Sequence, residues 1–187
     1  SNREHILALL NEADKDLAIM GRPPDAADLV AHPFMHNPLV VIAAPNHPLA
    51  RARNIPLERL TEESFISREA GSGTRIAAER FFDAAGTRLT TAMEMSSNEA
   101  IKQAVQAGLG LGIVSVHTLE MEFKLGRLTV LNVQGFPILR EWYIVHREGK
   151  RFSAAAQAFK EFVLTEGDKL ITIPQPAKPG QVERRRA

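Results

Sequence analysis

The residues best suited to chemistry in this sequence stand in one stretch, Ser64 to Arg75 (SFISREAGSGTR). A short apolar strand ends in Arg68 and Glu69, and two glycines then bracket Ser72 ahead of a helical pattern. A strand that feeds such a loop at the start of a helix leaves several backbone N–H groups without partners inside the helix. These donors and the positive end of the helix dipole favour an anion. Arg68 and Arg75 can add bidentate hydrogen bonding to a carboxylate or a phosphate.

The same residues also allow an ordinary structural interpretation. Ser72 can simply cap the helix that follows the loop. Arg75 can form an ion pair with Glu79, which stands four positions further along the helix. A second helix start follows at Ser96, because Glu99 stands three positions later and the two side chains fit a capping box. Both helix starts therefore stay open to an anion-binding role or a merely structural one.

The composition of the 187 residues is that of an ordinary globular protein, with 44% apolar and 24% charged residues. The net charge of +1 gives no global attraction to nucleic acid or to an acidic membrane surface. The absence of cysteine excludes disulfides and thiolate chemistry and fits a reducing cytosol, so we expect a cytoplasmic protein. No apolar run approaches the roughly 20 residues that span a bilayer, and the N-terminus lacks the pattern of a secretory signal. We therefore predict no membrane contact.

Sequence motifs of common enzymes are missing. His32 and His36 stand four positions apart, but Pro33 argues against a helix that would aim both at one metal. No G-x-S-x-G elbow occurs, and the GLGLG run at 108–112 leads from a helix into a strand, the reverse of a dinucleotide-binding loop. We expect no enzyme, no catalytic residue, no metal site and no cofactor.

Hydrophobic periodicity predicts strands that alternate with helices, which is the pattern of an α/β fold with parallel sheets. The predicted strands are Asp16–Met20, Leu29–Met35, Leu39–Ala44, one beginning at Ser64, Met93–Met95, Leu109–Val116, Leu128–Val133 and Glu141–His146. The predicted helices are Arg3–Ala13, Leu57–Leu60, Thr74–Ala85, one starting at Ser96, and Ser153–Leu164. In the last helix, Phe159, Phe162 and Val163 are expected to face a core.

The C-terminal residues 168–187 differ in composition from the rest of the chain. Prolines interrupt the stretch from Pro174 to Ala187, which holds four Lys or Arg residues and one Glu. Because so little apolar surface could offset the entropy of ordering, we predict a disordered basic tail. A solvated tail is favoured over one that contacts DNA phosphates.

Several stretches together resemble one known family. They are NREHILALLNEADKDLAI, PLVVIAAPNHPLA, REAGSGTR, SSNEAIKQAVQAGLGLGIVSV, GRLTVLNV and REWYIVHREGKRFSAAAQAFKEFV, and they cover most of residues 2–164. In this order they resemble the effector-binding domain of LysR-type transcriptional regulators, and they are most similar to regulators of Calvin-cycle (RuBisCO) operons. The resemblance implies a domain that senses a small effector and controls DNA binding, without catalysis. A solute-binding protein of a transport system, with the same two-lobed fold, is the alternative function.

The resemblance implies an α/β fold of two Rossmann-like subdomains joined by two crossing strands, as in type 2 periplasmic binding proteins. Residues 1–44 and 146–167 would form the first subdomain and residues 45–145 the second, with crossings near Ala43–Pro48 and Val145–Gly149. The first subdomain would be incomplete at its N-terminus, lacking an opening strand, a helix and a second strand, and should therefore expose apolar surface. DNA would be bound only through a winged helix-turn-helix that these residues do not contain.

The resemblance places a small anionic effector in a cleft between the two subdomains, and the Calvin-cycle likeness suggests a phosphorylated metabolite or NADPH. It also implies a homodimer or tetramer, in which a helix of the first subdomain packs against a helix of the partner's second subdomain. The effector-facing residues carried over by position are Met20, Gly21, Arg22, Arg68, Glu69, Ser72, Gly73, Thr74, Arg75, Ser96, Ser97 and Asn98. The residues carried over to the dimer interface are Ile6, Leu7, Leu10, Ile101 and Val105.

Overall fold

The computed structural model describes residues 3–12, 15–25 and 28–171. The helices in these ranges are α1 (Arg3–Asn11), α2 (Leu57–Leu60), α3 (Gly73–Ala84), α4 (Asn98–Gln106), α5 (Glu120–Leu125) and α6 (Ala154–Leu170). The strands are β1 (Ala18–Met20), β2 (Leu29–His36), β3 (Leu39–Ala43), β4 (Ser64–Arg68), β5 (Thr90–Met95), β6 (Leu111–Ser115), β7 (Thr129–Val130) and β8 (Glu141–Arg147). Short 3₁₀ turns occupy Pro48–Arg51 and Val116–Thr118. None of the helices in the described ranges combines the length and the apolar character that crossing a membrane requires.

The chain divides into two compact units. Unit 1 contains the described residues before Leu39, Gly71–Gly73 and residues 139–171, and unit 2 contains Leu39–Ala70 and Thr74–Ile138. Apart from the short segment Gly71–Gly73, the chain passes between the units at 38/39 and 138/139, earlier than the predicted crossings near Ala43–Pro48 and Val145–Gly149. The pairing explains this difference, because β3 already belongs to the sheet of unit 2 and β8 pairs within unit 1 from its first residue.

The sheet of unit 1 is entirely antiparallel and has the order β1-β8-β2. The prediction of parallel strands is wrong for this unit. Parallel neighbours require a crossover connection between them. Strand β8 instead enters from a distant part of the chain and runs against both of its neighbours.

The sheet of unit 2 has the order β5-β4-β6-β3-β7. Strand β4 pairs in parallel with both β5 and β6, whereas β3 runs antiparallel to β6 and β7. Every residue of β3 and of β6 is buried, as their continuous apolar runs predict. The parallel prediction therefore holds for the part of this sheet that α3 and α4 connect.

Helices α3 and α4 cover opposite faces of this sheet. Phe65 packs in one apolar cluster with Ala78 and Phe82 of α3, and Ile66 packs in a second cluster with Ile101 of α4. Successive residues of a strand point to opposite faces, so neighbouring residues of β4 serve the two clusters. Each cluster supplies the burial that holds one helix to the sheet.

Three of the five residues assigned to a dimer interface are buried within the chain. Leu10 is 1% exposed and packs with Met20 and Val145 in the core of unit 1. Ile101 and Val105 are fully buried in unit 2. An apolar stripe on a helix is used first by the chain's own core, and the assignment of these residues to a dimer interface stays a prediction. The other two, Ile6 and Leu7, are partly buried against the unit 1 core.

Helix α6 extends further than predicted and exposes more apolar surface. It continues to Leu170, so residues 168–170 are helical and only 172–187 of the predicted tail lie outside the described residues. Phe159 and Phe162 are 48% and 50% exposed, which contradicts their predicted core position. The buried residues of α6 are Val163 and Gly167, four positions apart on one face, and a Cβ on Gly167 would lie 3.0 Å from the Phe34 ring.

A buried lysine ties α4 to α5. Lys102 contacts Glu122 Oε1 at 2.9 Å and Glu99 Oε1 at 2.7 Å, and its Nζ donates to the Thr118 carbonyl at 2.8 Å. Burial by itself would lower the pKa of Lys102, but the hydrogen bonds with the two carboxylates raise it above its ordinary value. The ammonium therefore stays charged, and it holds together three segments on one face of the sheet.

Each of the three glycines in the GLGLG run stands where the backbone conformation or close packing disfavours a side chain. This agrees with the predicted helix end and tight turn. Gly108, with φ of 78°, ends α4 in the left-handed conformation that glycine adopts at little cost. A Cβ on Gly110 would lie 2.5 Å from the Ser64 carbonyl oxygen. A Cβ on Gly112 would lie 2.8 Å from Ile101 Cγ2, so α4 packs directly on the backbone of β6.

The substitution Gly112→Ala is expected to destabilise the protein by about 1–3 kcal/mol, because the added methyl group overpacks the α4–β6 contact. Gly21→Ala is the control, since a Cβ there meets nothing within 4 Å and should change stability by no more than about 1 kcal/mol. Urea unfolding followed by circular dichroism measures both. Equal stability of the two variants would contradict the close packing of α4 on β6.

Candidate functional site

The carboxyl ends of β4 and β5 lie side by side. Arg68 and Met95 are register partners in the parallel pair, and the Glu69 backbone N–H donates to the Met95 carbonyl at 3.2 Å. Helix α3 follows β4 and helix α4 follows β5, on opposite faces of the sheet. Ligands of open α/β sheets bind at such a point, where neighbouring strands send their helices to opposite sides. We call the start of α3, at Gly73 and Thr74, together with the start of α4, at Ser97 and Asn98, the strand-end site.

Ser97, and not Ser96, caps helix α4. The Ser97 backbone is extended, with φ −138° and ψ 146°, and its Oγ accepts a hydrogen bond from the Ala100 N–H at 3.1 Å. The predicted capping box at Ser96 is therefore wrong by one position, and Glu99 pairs with Lys102 instead. Ser97 is exposed, so the hydrogen of its hydroxyl can still be donated to a ligand.

The start of α3 is open in front of its first residue. Gly71 has φ of 79°, a left-handed turn that glycine allows, and Ser72 is buried at 2% exposure. A Cβ added to Gly73 would meet nothing within 4 Å. The first N–H groups of α3 have no intrahelical acceptors, and Thr74 follows with a hydroxyl. The backbone beside Gly73 thus has space for at least one further heavy atom.

Arg68 is engaged by its neighbours. Its Nε and Nη2 donate to the two carboxylate oxygens of Glu69 at 2.7 and 3.0 Å, and its Nη1 donates to Asn98 Oδ1 at 3.0 Å. The hydrogen bond from Arg68 holds the pKa of Glu69 below its usual value. Since the guanidinium is 14% exposed and joins β4 to the first residue of α4, its clearest role is to position that helix start.

Arg75 forms the ion pair that the structural interpretation predicts. Its Nε donates to Glu79 Oε1 at 2.7 Å, and its Nη1 donates to Glu94 and to the Arg68 carbonyl. Hydrogen bonds with Glu79 and then Glu94 raise the pKa of Arg75 above its usual value. Two carboxylates therefore already balance this charge.

Met20, Gly21 and Arg22 belong to unit 1. The Met20 side chain is 2% exposed in the core of that unit, so it is not available to a ligand. Arg22 is exposed, and its Nη2 lies 3.6 Å from Asp25 Oδ1. Of this predicted segment, the Gly21 backbone and the Arg22 side chain are accessible.

Sequence reasoning missed Arg140. Its Nη1 donates to the Gly73 carbonyl at 3.0 Å, which places a guanidinium at the start of α3. Burial lowers the pKa of Arg140 to about 10, so it still carries a positive charge at neutral pH. No motif surrounds this residue, and only the three-dimensional structure brings it to a loop 67 positions earlier in the chain.

The charge pattern of the strand-end site does not suit a metal ion. Across residues 3–12, 15–25 and 28–171, no three or more His, Cys, Asp or Glu side chains come together in a way that could hold one. The available groups at the two helix starts are N–H and O–H donors. Such donors bind anions.

Comparison with known proteins gives a consistent match. The family model described as LysR substrate binding domain matches residues 1–168. The RuBisCO operon transcriptional regulators of Allochromatium vinosum and Acidithiobacillus ferrooxidans are 53% and 44% identical to this chain, over 91% and 94% of its length. The HTH-type transcriptional activator CmpR of Synechocystis is 45% identical over 93%. The chain spans 56–58% of the length of these relatives.

Solved structures agree with the fold. The CcmR regulatory domain of Synechocystis in complex with 2-PG is 40% identical, with a TM-score of 0.84 over 94% of this chain and 83% of that one. The effector-binding domain of QuiR in complex with shikimate has a TM-score of 0.81 at 24% identity, over 92% and 81% of the two chains. The second match shows the fold alone.

The substitution Arg68→Ala is expected to destabilise the protein by about 1–3 kcal/mol at neutral pH, because Glu69 and Asn98 lose their partner. The pKa of Glu69 is lower in the folded protein than in the unfolded chain. The ion pair with Arg68 therefore stabilises the fold at pH values above the ordinary pKa of Glu, and this stabilisation is lost as the pH falls through the lowered pKa. The variant should therefore lose less stability on acidification than the parent. Urea unfolding at neutral pH and at about pH 3.5 measures the difference.

The control for this variant is Arg59→Ala, which removes a more exposed pairing with Glu62 and Glu63. A surface pair of this kind contributes about 0–1 kcal/mol. If the two variants lost the same stability and kept the same pH dependence, Arg68 would not hold the start of α4.

Proposed function

The chain belongs to the LysR substrate-binding-domain family, and from this premise we propose that it is the sensor of a longer transcriptional regulator and binds a small phosphorylated anion at the strand-end site. Its named relatives are transcriptional regulators, which favours this function over a transport solute-binding protein and over an enzyme. The observation that carries the proposal is the convergence of the α3 and α4 starts at the carboxyl ends of β4 and β5.

The donors at this site are suited to an anion in their kind and in their fixed positions. Two helix starts contribute backbone N–H groups with the positive ends of their dipoles. Thr74 and Ser97 contribute hydroxyls. Because carboxylates neutralise Arg68 and Arg75, we propose that the anion is recognised mainly by amides and hydroxyls, and that the two arginines keep those donors in place.

The chemistry of the ligand follows from one relative. The CcmR regulatory domain, 40% identical to this chain, was solved in complex with 2-PG. We propose 2-phosphoglycolate or a similar small phosphorylated carboxylate as the effector of this chain. Its phosphate and carboxylate offer two acceptor groups for two separate helix starts. NADPH, the other effector that the resemblance suggests, is the second candidate and carries phosphates on a much larger body.

The consequence of binding belongs to the longer protein. A ligand that contacts one arrangement of the protein better than another shifts the population toward that arrangement. We propose that such a shift controls DNA binding by a separate domain in a homodimer or tetramer. A coupling free energy of about 1–3 kcal/mol is typical of this kind of control.

The substitution Ser97→Ala is expected to weaken 2-phosphoglycolate binding about tenfold or more, because the anion loses a hydroxyl donor at the α4 start. Ser153→Ala is a matched control, since the Oγ of each serine accepts a hydrogen bond from the alanine N–H three positions later, at 3.1 Å in both cases. Both variants should lose about 1 kcal/mol of stability through the lost cap. Only Ser97→Ala should lose affinity in isothermal titration calorimetry.

NADPH is titrated in parallel to separate the two candidate effectors. Binding of NADPH without binding of 2-phosphoglycolate would replace the proposed ligand but keep the site. Unchanged affinity of Ser97→Ala for every ligand that binds would place recognition away from the α4 start and contradict the proposal.

A further inference from the structure

Unit 2 contains a cavity that the strand-end site does not explain. Its volume is about 260 Å³, and it lies between helix α3 and strands β4 and β5. Thr74 and Arg68 line the end that adjoins the strand-end site. From there the cavity continues along α3 as far as Phe82 and reaches Leu89, just before the first residue of β5. Most of the cavity therefore lies alongside the strands and not at their carboxyl ends.

Small side chains create this space. Ala78 of α3 faces Ser67 of β4 and Thr91 of β5 across the cavity, where larger residues would close the gap between helix and sheet. Strand β5 also carries a bulge, because Phe65 pairs with Thr91 whereas the next residue of β4 pairs with Met93. An extra residue in one strand re-aims its neighbours, and such bulges are common beside functional sites.

The cavity has an apolar base and a rim of polar and charged side chains. Phe65, Ala78 and Phe82 of the α3 cluster form this base and are buried in the core. On the strand side, Ser67 Oγ and Thr91 Oγ1 lie 3.0 Å apart and hydrogen-bond to each other. One hydroxyl of such a pair donates to the other, which leaves one hydrogen and several lone pairs for a ligand.

The charges at the rim of the cavity largely cancel. Arg75 is paired with Glu79, and Arg88 Nε lies 3.6 Å from Asp83 Oδ1. The rim therefore provides no strong net attraction for a small anion, in contrast to the donors of the strand-end site. An uncharged molecule can enter without leaving one of these groups unpaired.

We propose that this cavity is a second small-molecule site, which takes an uncharged single-ring compound bearing a hydroxyl group. A volume of about 150 Å³ accommodates benzene, so about 260 Å³ has room for a substituted ring. The ring lies over Ala78 and beside the partly exposed Leu89, and its hydroxyl hydrogen-bonds to the Ser67–Thr91 pair. This inference goes beyond the proposed function and does not depend on the identity of the anion.

Phenol and toluene are suitable probes, because they differ chiefly in the hydroxyl group. We expect phenol to shift backbone amide resonances of α3, β4 and β5 in a nuclear magnetic resonance titration of the full chain. The substitution Thr91→Val should weaken phenol binding about fivefold and leave toluene binding unchanged, since one hydrogen bond is lost. Thr90→Val on the same strand is the control, because Thr90 does not line the cavity and should bind both probes as the parent does.

A second pair of variants tests the space itself. Ala78→Leu fills the cavity and should abolish binding of both probes, whereas Ala84→Leu changes an exposed position of the same helix and should not. In Thr91→Val the affinity for 2-phosphoglycolate should stay unchanged, which keeps this test separate from that of the strand-end site. Phenol shifts that are absent up to its solubility, or equal phenol affinity of Thr91→Val and the parent, would overturn the proposal.

Discussion

Strand β4 imposes the constraint from which the candidate site follows. Parallel partners satisfy both of its edges, and its residues alternate between two apolar clusters, so each face needs a covering helix. The chain supplies α3 immediately after β4 and α4 immediately after the neighbouring strand β5. Because parallel strands end at the same edge of a sheet, both helices must begin there. The grouping of backbone donors is thus a consequence of how the core is covered.

The arginines around these helix starts hold other groups in position. Arg68 and Arg75 are held by carboxylates, and their forked hydrogen bonds fix the strand ends and the first turns of the helices. Backbone amides and a capping hydroxyl are then already in position before any ligand arrives. Donors that are fixed by secondary structure avoid the entropy that flexible side chains lose on binding. In the proposed function, an anion is therefore recognised by this arrangement more than by net charge.

Local sequence signals were sufficient for most elements of unit 2. The glycines at 71 and 73 mark the start of α3, and continuous apolar runs mark β3 and β6 as buried strands. The cap of α4 was misplaced by one residue, because the choice between Ser96 and Ser97 depends on where β5 stops pairing with β4. The motif predicts where backbone donors occur and leaves the Arg75–Glu79 pair open, but it gives no sign that Arg68 pairs with Glu69 and Asn98.

Contacts between distant parts of the chain determine the features that local sequence patterns do not predict. The antiparallel sheet of unit 1 depends on β8 entering between β1 and β2, which no local pattern records. The inward face of α6 depends on the contact of Gly167 with Phe34, and it leaves Phe159 and Phe162 exposed. Arg140 reaches the start of α3 through the fold alone. Amphipathic periodicity finds helices reliably, but the partner of each face is set by the rest of the chain.

The buried ammonium of Lys102 gives helix α4 a mechanical property. It binds the middle of the helix to Glu122 of α5 and to the Thr118 carbonyl, and the backbone of Gly112 in β6 packs directly against the same helix. A pull on the first turn of α4 cannot be absorbed by sliding of the helix along the sheet, because densely packed interiors transmit strain. It is instead shared with α5, so one buried charge couples the two helices.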